Sequence, residues 1–346
     1  MKIKFVKRIF IALGIGYLTF FAILGPLSYK SAISSLKEQA KNHLISVREI
    51  KKGQLESYFS ERKGDVCVLS MSPLVVEGLP RFIEAFHSKG PASPEYKQLA
   101  NFYGRDLAYY NKLYGYYDII LTDTEGYIVF ATVNQAYLGI NLAQGEIGSS
   151  NIFQAFRKGL LRVELTDFVY YEPFDELAAF ISAPVRDRIG KTIGVLIFQI
   201  PFNQVDRIMS ERAGLGQTGE TYLVGEDMFM RSNSRFSKEA SVLKLQVDTE
   251  ATRDALDGND GVKIIRDYRG IPVLSAYTIM NIEDFFWAII CEIDVSEAFK
   301  SAITLRRWAL LVGGSIIGSI AIYGYVIYRR FTIPIPEKNT VPQASQ

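Results

Sequence analysis

Two uncharged runs bracket the chain. Residues 9–29 and 308–328 each hold 21 residues without Asp, Glu, Lys or Arg. At 1.5 Å rise per residue, roughly 20 residues cross a hydrocarbon layer of ~30 Å, so both runs predict transmembrane helices. Trp308 and the cluster Tyr323, Tyr325 and Tyr328 sit towards the ends of the second run, as interfacial aromatics do. A cleaved signal peptide is the rival for the first run. Its apolar stretch is longer than the usual ~7–15 residues, and Gly25-Pro26-Leu27 is a poor cleavage site. Lys2, Lys4, Lys7 and Arg8 put the N-terminus (1–8) on the cytoplasmic side. Two spans return the tail (329–346), with Arg329, Arg330 and Lys338, to the same side. Residues 28–307 are then outside the membrane, although Arg306 and Arg307 at their end run against the charge rule.

Between the runs the periodicity changes twice. From Ser28 to about Met71, Ile33, Leu36, Ala40, Leu44, Val47 and Ile50 recur at three- and four-residue steps, which predicts one long helix. Lys37, Glu38, Lys41, Arg48 and Lys51 occupy its other positions. The stripe suits a dimer seam or a stalk, or packing on the helix's own domain in its distal half. Pro73 and Gly78–Pro80 break the pattern, and 88–94 reads as a loop. Alternating runs follow: a hairpin over 117–130 around Asp123-Thr124-Glu125-Gly126, a helix at 152–158, and strands at 165–171, 178–184 and 192–200. The same order then recurs. A helix at 202–212 precedes a strand at 220–225 with its return at 229–231, a helix at 249–256 and strands at 261–268, 272–278 and 287–293. A short helix, 296–305, leads into the second run.

Composition narrows the chemistry. The whole chain carries a net +2. The two cytoplasmic ends alone exceed that, so the outer part is mildly acidic and nucleic acid is excluded as a partner on charge grounds. Two cysteines and two histidines exclude a disulfide scaffold, a cysteine-only zinc site and most histidine-based catalysis. Cys67 and Cys291 read as buried thiols; His43 and His87 have no Ser or Cys at a recognisable spacing. Gly214-Leu215-Gly216-Gln217-Thr218-Gly219 copies a phosphate-loop spacing without the preceding strand and following helix that the motif needs. The reading is therefore no enzyme, no cofactor and no metal.

The second repeat carries a recognisable signature. Leu215-Gly216-Gln217-Thr218-Gly219-Glu220-Thr221-Tyr222-Leu223-Val224-Gly225 and Met230-Arg231-Ser232-Asn233-Ser234-Arg235-Phe236 resemble the double-Cache sensor module of bacterial transmembrane receptors. These are chemotaxis receptors, sensor kinases and diguanylate cyclases. Asp267-Tyr268-Arg269-Gly270 and Val273-Leu274-Ser275-Ala276-Tyr277 extend the match over roughly 28–330. Arg231 and Arg235 are placed to pair with acids such as Glu220 or Asp227. The resemblance implies an α+β chain with a long N-terminal helix (30–72) and two tandem PAS-like antiparallel-sheet modules, flanked by two transmembrane helices. The membrane-distal module spans 73–201 and the membrane-proximal one 202–305. The location implied is the bacterial inner (cytoplasmic) membrane.

In such receptors the distal module usually binds the small molecule, and here that region is rich in tyrosine, whose ring and single hydroxyl suit a pocket with few directional contacts. Amino-acid-binding members carry Arg-x-Trp-Tyr, Tyr-x-Asp and a later Asp. This chain has Ser149-Ser150-Asn151-Ile152, Tyr170-Tyr171-Glu172 and Gln199 at those places. Without the arginine there is no bidentate clamp for an α-carboxylate, so the expected ligand is not an α-amino acid. The candidate ligand-binding residues are Tyr117, Asn151, Asp167, Tyr170, Glu172, Phe180, Ser182 and Gln199.

The function expected is an extracytoplasmic sensor, homodimeric, passing its signal through the second membrane helix. Arg330-Phe331-Thr332-Ile333-Pro334-Ile335 resembles the opening of a HAMP linker, and no output domain follows in this sequence. A separate cytoplasmic signalling partner, a truncated receptor and a stand-alone membrane-anchored solute-binding protein are the alternatives.

Overall fold

The computed structural model describes residues 2–144, 148, 150–171 and 176–332, with the backbone alone at 2–25, 171, 176, 323 and 326–332. In chain order the helices and strands are α1 (Lys2–Ser70), α2 (Pro73–Lys89), α3 (Pro94–Leu99), α4 (Arg105–Tyr114), β1 (Asp118–Thr122), β2 (Ile128–Ala131), α5 (Asn151–Gly159), β3 (Glu164–Leu165), β4 (Val169–Tyr171), β5 (Glu176–Arg186), β6 (Thr192–Ile200), α6 (Phe202–Ser210), β7 (Glu220–Gly225), α7 (Glu250–Leu256), β8 (Gly261–Arg266), β9 (Pro272–Ile282), β10 (Phe285–Asp294), α8 (Val295–Ala298) and α9 (Lys300–Thr332). A π-helical turn, Ala100–Gly104, joins α3 to α4.

The chain divides into two units, one of Met1–Ala40 with Ala298–Gln346 and one of Lys41–Glu297. In the first, the Lys37 ammonium lies 5.6 Å from the Phe299 ring centre. Among the described residues one helical stretch, Lys300–Ile322, is long and apolar enough to cross a membrane. The side chains of the first expected span lie almost wholly outside the described residues, as do 333–346.

The second unit holds two antiparallel sheets. The first runs β2-β1-β6-β5-β3 with β4 also on β5; the second runs β7-β10-β9-β8. Each strand alternates its side chains between two faces. One face of each sheet meets α1. Leu55, Phe59, Val66 and Leu69 of that helix share one core with Ile119, Leu121, Ile181 and Phe198 of the first sheet and with Leu223, Met280, Trp287 and Ile289 of the second. The opposite faces have separate small cores. Ile152, Ala155 and Phe156 of α5 cover Ile120, Phe180, Val195 and Ile197. Ala251 and Ala255 of α7 lie in the core that contains Tyr222, Val224, Val273, Ala288 and Ile290. Serine and threonine start the short helices: Ser72, Ser93, Ser150 and Thr249 each accept a hydrogen bond from an N–H in the first turn, satisfying a donor the helix leaves free.

Three differences from the sequence pattern have physical causes. Arg48 and Lys51, placed by periodicity on the polar side of α1, are buried. The Arg48 guanidinium donates to the Tyr277 carbonyl at 2.6 Å, and the Lys51 ammonium donates to the Ile208 carbonyl at 2.5 Å, near the end of α6. Lys51 thus supplies the positive charge a helix C-terminus favours. Burial pulls its ammonium below the usual lysine range. The strand expected over 165–171 is two pieces, because Asp167 and Phe168 turn out of the ladder. Phe168 enters the α1 core, 6.2 Å from Trp287 in stacked rings. The return at 229–231 makes only isolated bridges, Val224 with Met230 and Phe229 with Gln246.

Gly194 of β6 tests the packing between α2 and the first sheet. A Cβ there would run into the Thr122 carbonyl and the Leu79 side chain, whereas a Cβ on Gly53 of α1 meets nothing within 4 Å. Gly194→Ala is expected to destabilise the protein by about 3 kcal/mol through overpacking. Gly53→Ala is expected to be neutral or to stabilise by up to about 1 kcal/mol through helix propensity. Chemical denaturation of the detergent-solubilised protein checks both.

Candidate functional site

The α5 face of the first sheet carries a polar row at the end where β1 begins. Asp118, Gln199 and Phe180 are directly opposed across β1, β6 and β5. Asp118 is fully committed. Its Oδ1 accepts from the N–H groups of Ile119, Thr132 and Val133 and from the Thr132 hydroxyl, and its Oδ2 from the Asn134 N–H, all within 2.6–3.0 Å. It pins the chain leaving β2. Thr166 closes the other end of the row, its N–H on the Phe180 carbonyl at 2.9 Å and its hydroxyl on the Phe180 N–H at 3.0 Å.

Asn151, the first residue of α5, lies over this end of the sheet and is 6% exposed. Its Nδ2 donates to the Ala178 carbonyl at 2.6 Å and to the Asp167 carbonyl at 3.5 Å. Its Oδ1 is buried and has no hydrogen-bond partner among the described residues. A buried acceptor without a donor costs about 1–3 kcal/mol. That cost marks Asn151 as a polar group of this face in need of a partner.

The residues singled out from sequence divide into three sets. Tyr117, Asn151, Phe180 and Gln199 come together: the Tyr117 N–H donates to the Gln199 carbonyl at 3.0 Å, and Gln199 opposes Phe180. Tyr170 is near them on β4, opposite Leu177, and about half exposed, as is Tyr117. Ser182 lies further along β5 beneath α5, its hydroxyl donating to the Ala155 carbonyl at 2.7 Å. It holds the helix down. Asp167 faces the second sheet. Glu172 lies outside the described residues.

Asp167 is the centre of the contact between the two sheets. Its Oδ2 is 3.0 Å from Arg231 Nε, and its Oδ1 accepts from the Trp287 indole N–H at 3.0 Å and from the Phe168 N–H at 2.7 Å. Arg231 is 5% exposed and also makes a two-point contact with Asp227, at 2.9 Å for each bond. Burial pushes the Asp167 carboxyl up, against the pull of the guanidinium. A second group of charges lies alongside. Asp284, in the turn between β9 and β10, takes Lys158 at 2.6 Å and Arg162 at 2.7 Å, and both cations also reach the buried Glu164. A cavity of about 340 Å³ lies between these groups, lined by Asn151, Gln154, Lys158, Asp167, Asp284 and Phe285 among others. One face of α5 therefore runs from the unpartnered Asn151 to the ion pairs that meet the second sheet.

With this geometry in view, comparison with known proteins is direct. The sequence profile described as the Cache domain matches residues 28–302. The chain belongs to the Cache domain family. Cache domains are sensory ligand-binding domains, and this one has the fold of those in chemoreceptors and sensor kinases. The ligand-binding domain of the Campylobacter jejuni chemoreceptor Tlp3, in complex with L-valine, is 14% identical, with 77% of this chain and 97% of that one covered and a TM-score of 0.53. The sensor domain of the V. cholerae histidine kinase DctB is 10% identical, with 74% and 98% covered and a TM-score of 0.52. An extracellular ligand binding receptor from Desulfohalobium retbaense is matched over 71% of this chain but only 39% of its own length, at 12% identity and a TM-score of 0.45. No curated protein sequence matches.

The Cache signature in the second repeat has a structural task, and its partner is one the sequence did not reveal. Glu297, in α8, accepts from the N–H groups of Gln217 and Thr218 at 2.9 and 2.7 Å and from the Thr218 hydroxyl at 2.5 Å. Gly216 has φ +63°, and a Cβ on it would strike that carboxylate. The Arg235 guanidinium adds a bond to the Gln217 carbonyl at 2.6 Å and another to the Gly219 carbonyl. The Gly-Gln-Thr-Gly loop is thus a clasp for the carboxylate that follows β10.

The Arg231 bridge gives a direct test. Arg231→Leu leaves Asp167 buried against Trp287 without its countercharge and is expected to cost about 3 kcal/mol or more. Arg231→Leu combined with Asp167→Leu is expected to recover most of that loss. Equilibrium unfolding of the two variants against the parent protein measures both steps.

Proposed function

We propose that this Cache protein is the extracytoplasmic small-molecule sensor of a chemoreceptor-like transmembrane signalling system. Residues 30–307 lie outside the bacterial inner membrane, the spans are 9–29 and 308–328, and both termini are cytoplasmic. Residues 73–201 are the ligand-binding, membrane-distal module, and 202–305 relay its state to the second span. Two copies pair along α1, where Ile50 and Val68 are more than half exposed. The ligand lies on the α5 face of the first sheet, against Asn151, Gln199, Phe180, Tyr117 and Tyr170. Ser182 and Asp167 hold the frame rather than the ligand.

The carrying observation is the Asn151 Oδ1, buried and without a donor at the end of a sheet row. A ligand N–H or O–H completes it. The described residues of the row, Asp118, Gln199, Phe180, Thr166 and Asn151, offer no guanidinium or ammonium. A carboxylate is therefore a poor match, which argues against an α-amino acid.

Binding alone would not signal; the ligand must favour one arrangement of the two sheets over another. The α5 face that joins Asn151 to Lys158 and Asp284 supports such a preference. Thermal-shift measurements on the full protein in detergent micelles, against a panel of small polar metabolites, test the placement. At least one compound is expected to raise the melting midpoint, with the shift lost in Asn151→Leu and in Gln199→Leu, and L-valine is expected to give none. A shift that survives both substitutions would place the ligand elsewhere, and a saturable shift with L-valine would overturn the ligand class.

A further inference from the structure

The second sheet repeats the polar row of the first in the same register. Glu220 opposes Glu292, and Glu292 opposes Ser275, across β7, β10 and β9. Those are the strand positions that Asp118, Gln199 and Phe180 occupy in the first sheet. The side chains lie on the face that α7 covers, in line with Tyr222, Ile290 and Val273 of that core. Where the first sheet places an amide, the second buries a carboxyl group.

Glu292 is 2% exposed and Ser275 fully buried. Glu292 Oε2 accepts from the Tyr222 hydroxyl at 3.0 Å. Glu292 Oε1 and Ser275 Oγ are both buried and both without a hydrogen-bond partner. The surroundings disfavour a charge. From β7, Glu220 points its carboxylate to the Arg235 N–H and the Tyr268 hydroxyl. From the β8–β9 turn come Asp267 and Tyr268, with Arg269 already held by Asp267 and Asp294. From α7, Asp254 is taken by Lys263 and the Tyr277 hydroxyl. Arg48 and Lys51 act on the neighbouring residue, Cys291. A proton on Glu292 Oε1, donated to Ser275 Oγ, gives both orphaned atoms a partner at once and removes a charge from beside Glu220.

We propose that Glu292 and Ser275 form a proton-binding site in the second sheet, protonated in neutral surroundings and emptied in alkaline ones, so that this module responds to pH independently of the ligand face on the first sheet. Burial pushes the Glu292 carboxyl up to about 8, with Asp267 and Glu220 adding to the shift and Ser275 and Tyr222 opposing it. The unfolded chain releases this proton at an ordinary glutamate pKa of about 4.3. The folded form therefore holds more protons across the interval up to about 8, and its stability falls as pH rises through that window. Ionisation sets two carboxylates side by side across β7 and β10. It loosens the strand that ends at Asp294, next to the Glu297 clasp.

The test uses the full chain in detergent micelles. The melting midpoint of the parent protein is expected to fall by several degrees between about pH 4.3 and about 8, and to level off above that. In Glu292→Gln, whose amide donates to Ser275 without titrating, that fall is expected to vanish. Glu220→Gln, which removes the neighbouring charge, is expected to make the levelling-off begin at lower pH. Infrared difference spectra of the parent protein should show a protonated-carboxyl carbonyl band lost around pH 8. This readout stands even if a variant fails to fold. A pH profile unchanged in Glu292→Gln, or no loss of such a band in the parent protein, would overturn the proposal.

Discussion

A single helix face has to serve two sheets. The α1 stripe of Leu55, Phe59, Val66 and Leu69 is shared by both, so each sheet has one apolar face committed to the same core. The remaining face of each must be covered by something else, and a nine-residue helix on one and a seven-residue helix on the other do it. The polar rows, Asp118–Gln199–Phe180 in one module and Glu220–Glu292–Ser275 in the other, lie buried on those same faces.

The contact between the modules is built differently from the cores. Trp287 and Phe168 supply apolar area, but the orientation comes from charge: Arg231 between Asp167 and Asp227, and Asp284 between Lys158 and Arg162. Such pairs fix direction as well as distance, which apolar contact does not.

Much of the architecture was legible in the chain. Runs of β-branched and aromatic residues bounded by turns marked β1, β2, β5, β6, β7, β9 and β10, and the repeated order marked two sheets. The failures share a cause. Arg48 and Lys51 were read as solvated because their charges are usually exposed; tertiary carbonyls of Tyr277 and Ile208 draw them in. The run 165–171 looked continuous because β-branched and aromatic residues dominate it, yet Asp167 finds Arg231 64 residues away. No local pattern reports a partner at that distance. Asn151 and Gln199 could be singled out from the family motif, but not the unpartnered state of the Asn151 oxygen. Glu292 was invisible for the opposite reason: its row is apparent only once three strands are in register. The partner of Glu297 was not legible, because its clasp joins it to Gln217, 80 residues earlier.

Trp287 gives the seam an optical property. Its indole N–H is bonded to Asp167 and its ring is fully buried beside Phe59, Phe168 and Phe285. The chain has only one other tryptophan, Trp308, at the start of the uncharged run 308–328. Replacing Trp308 by phenylalanine leaves a single emitter at the joint between the modules. Its emission wavelength and quenching then report, without any attached dye, whether that joint is dry and closed or wet and open.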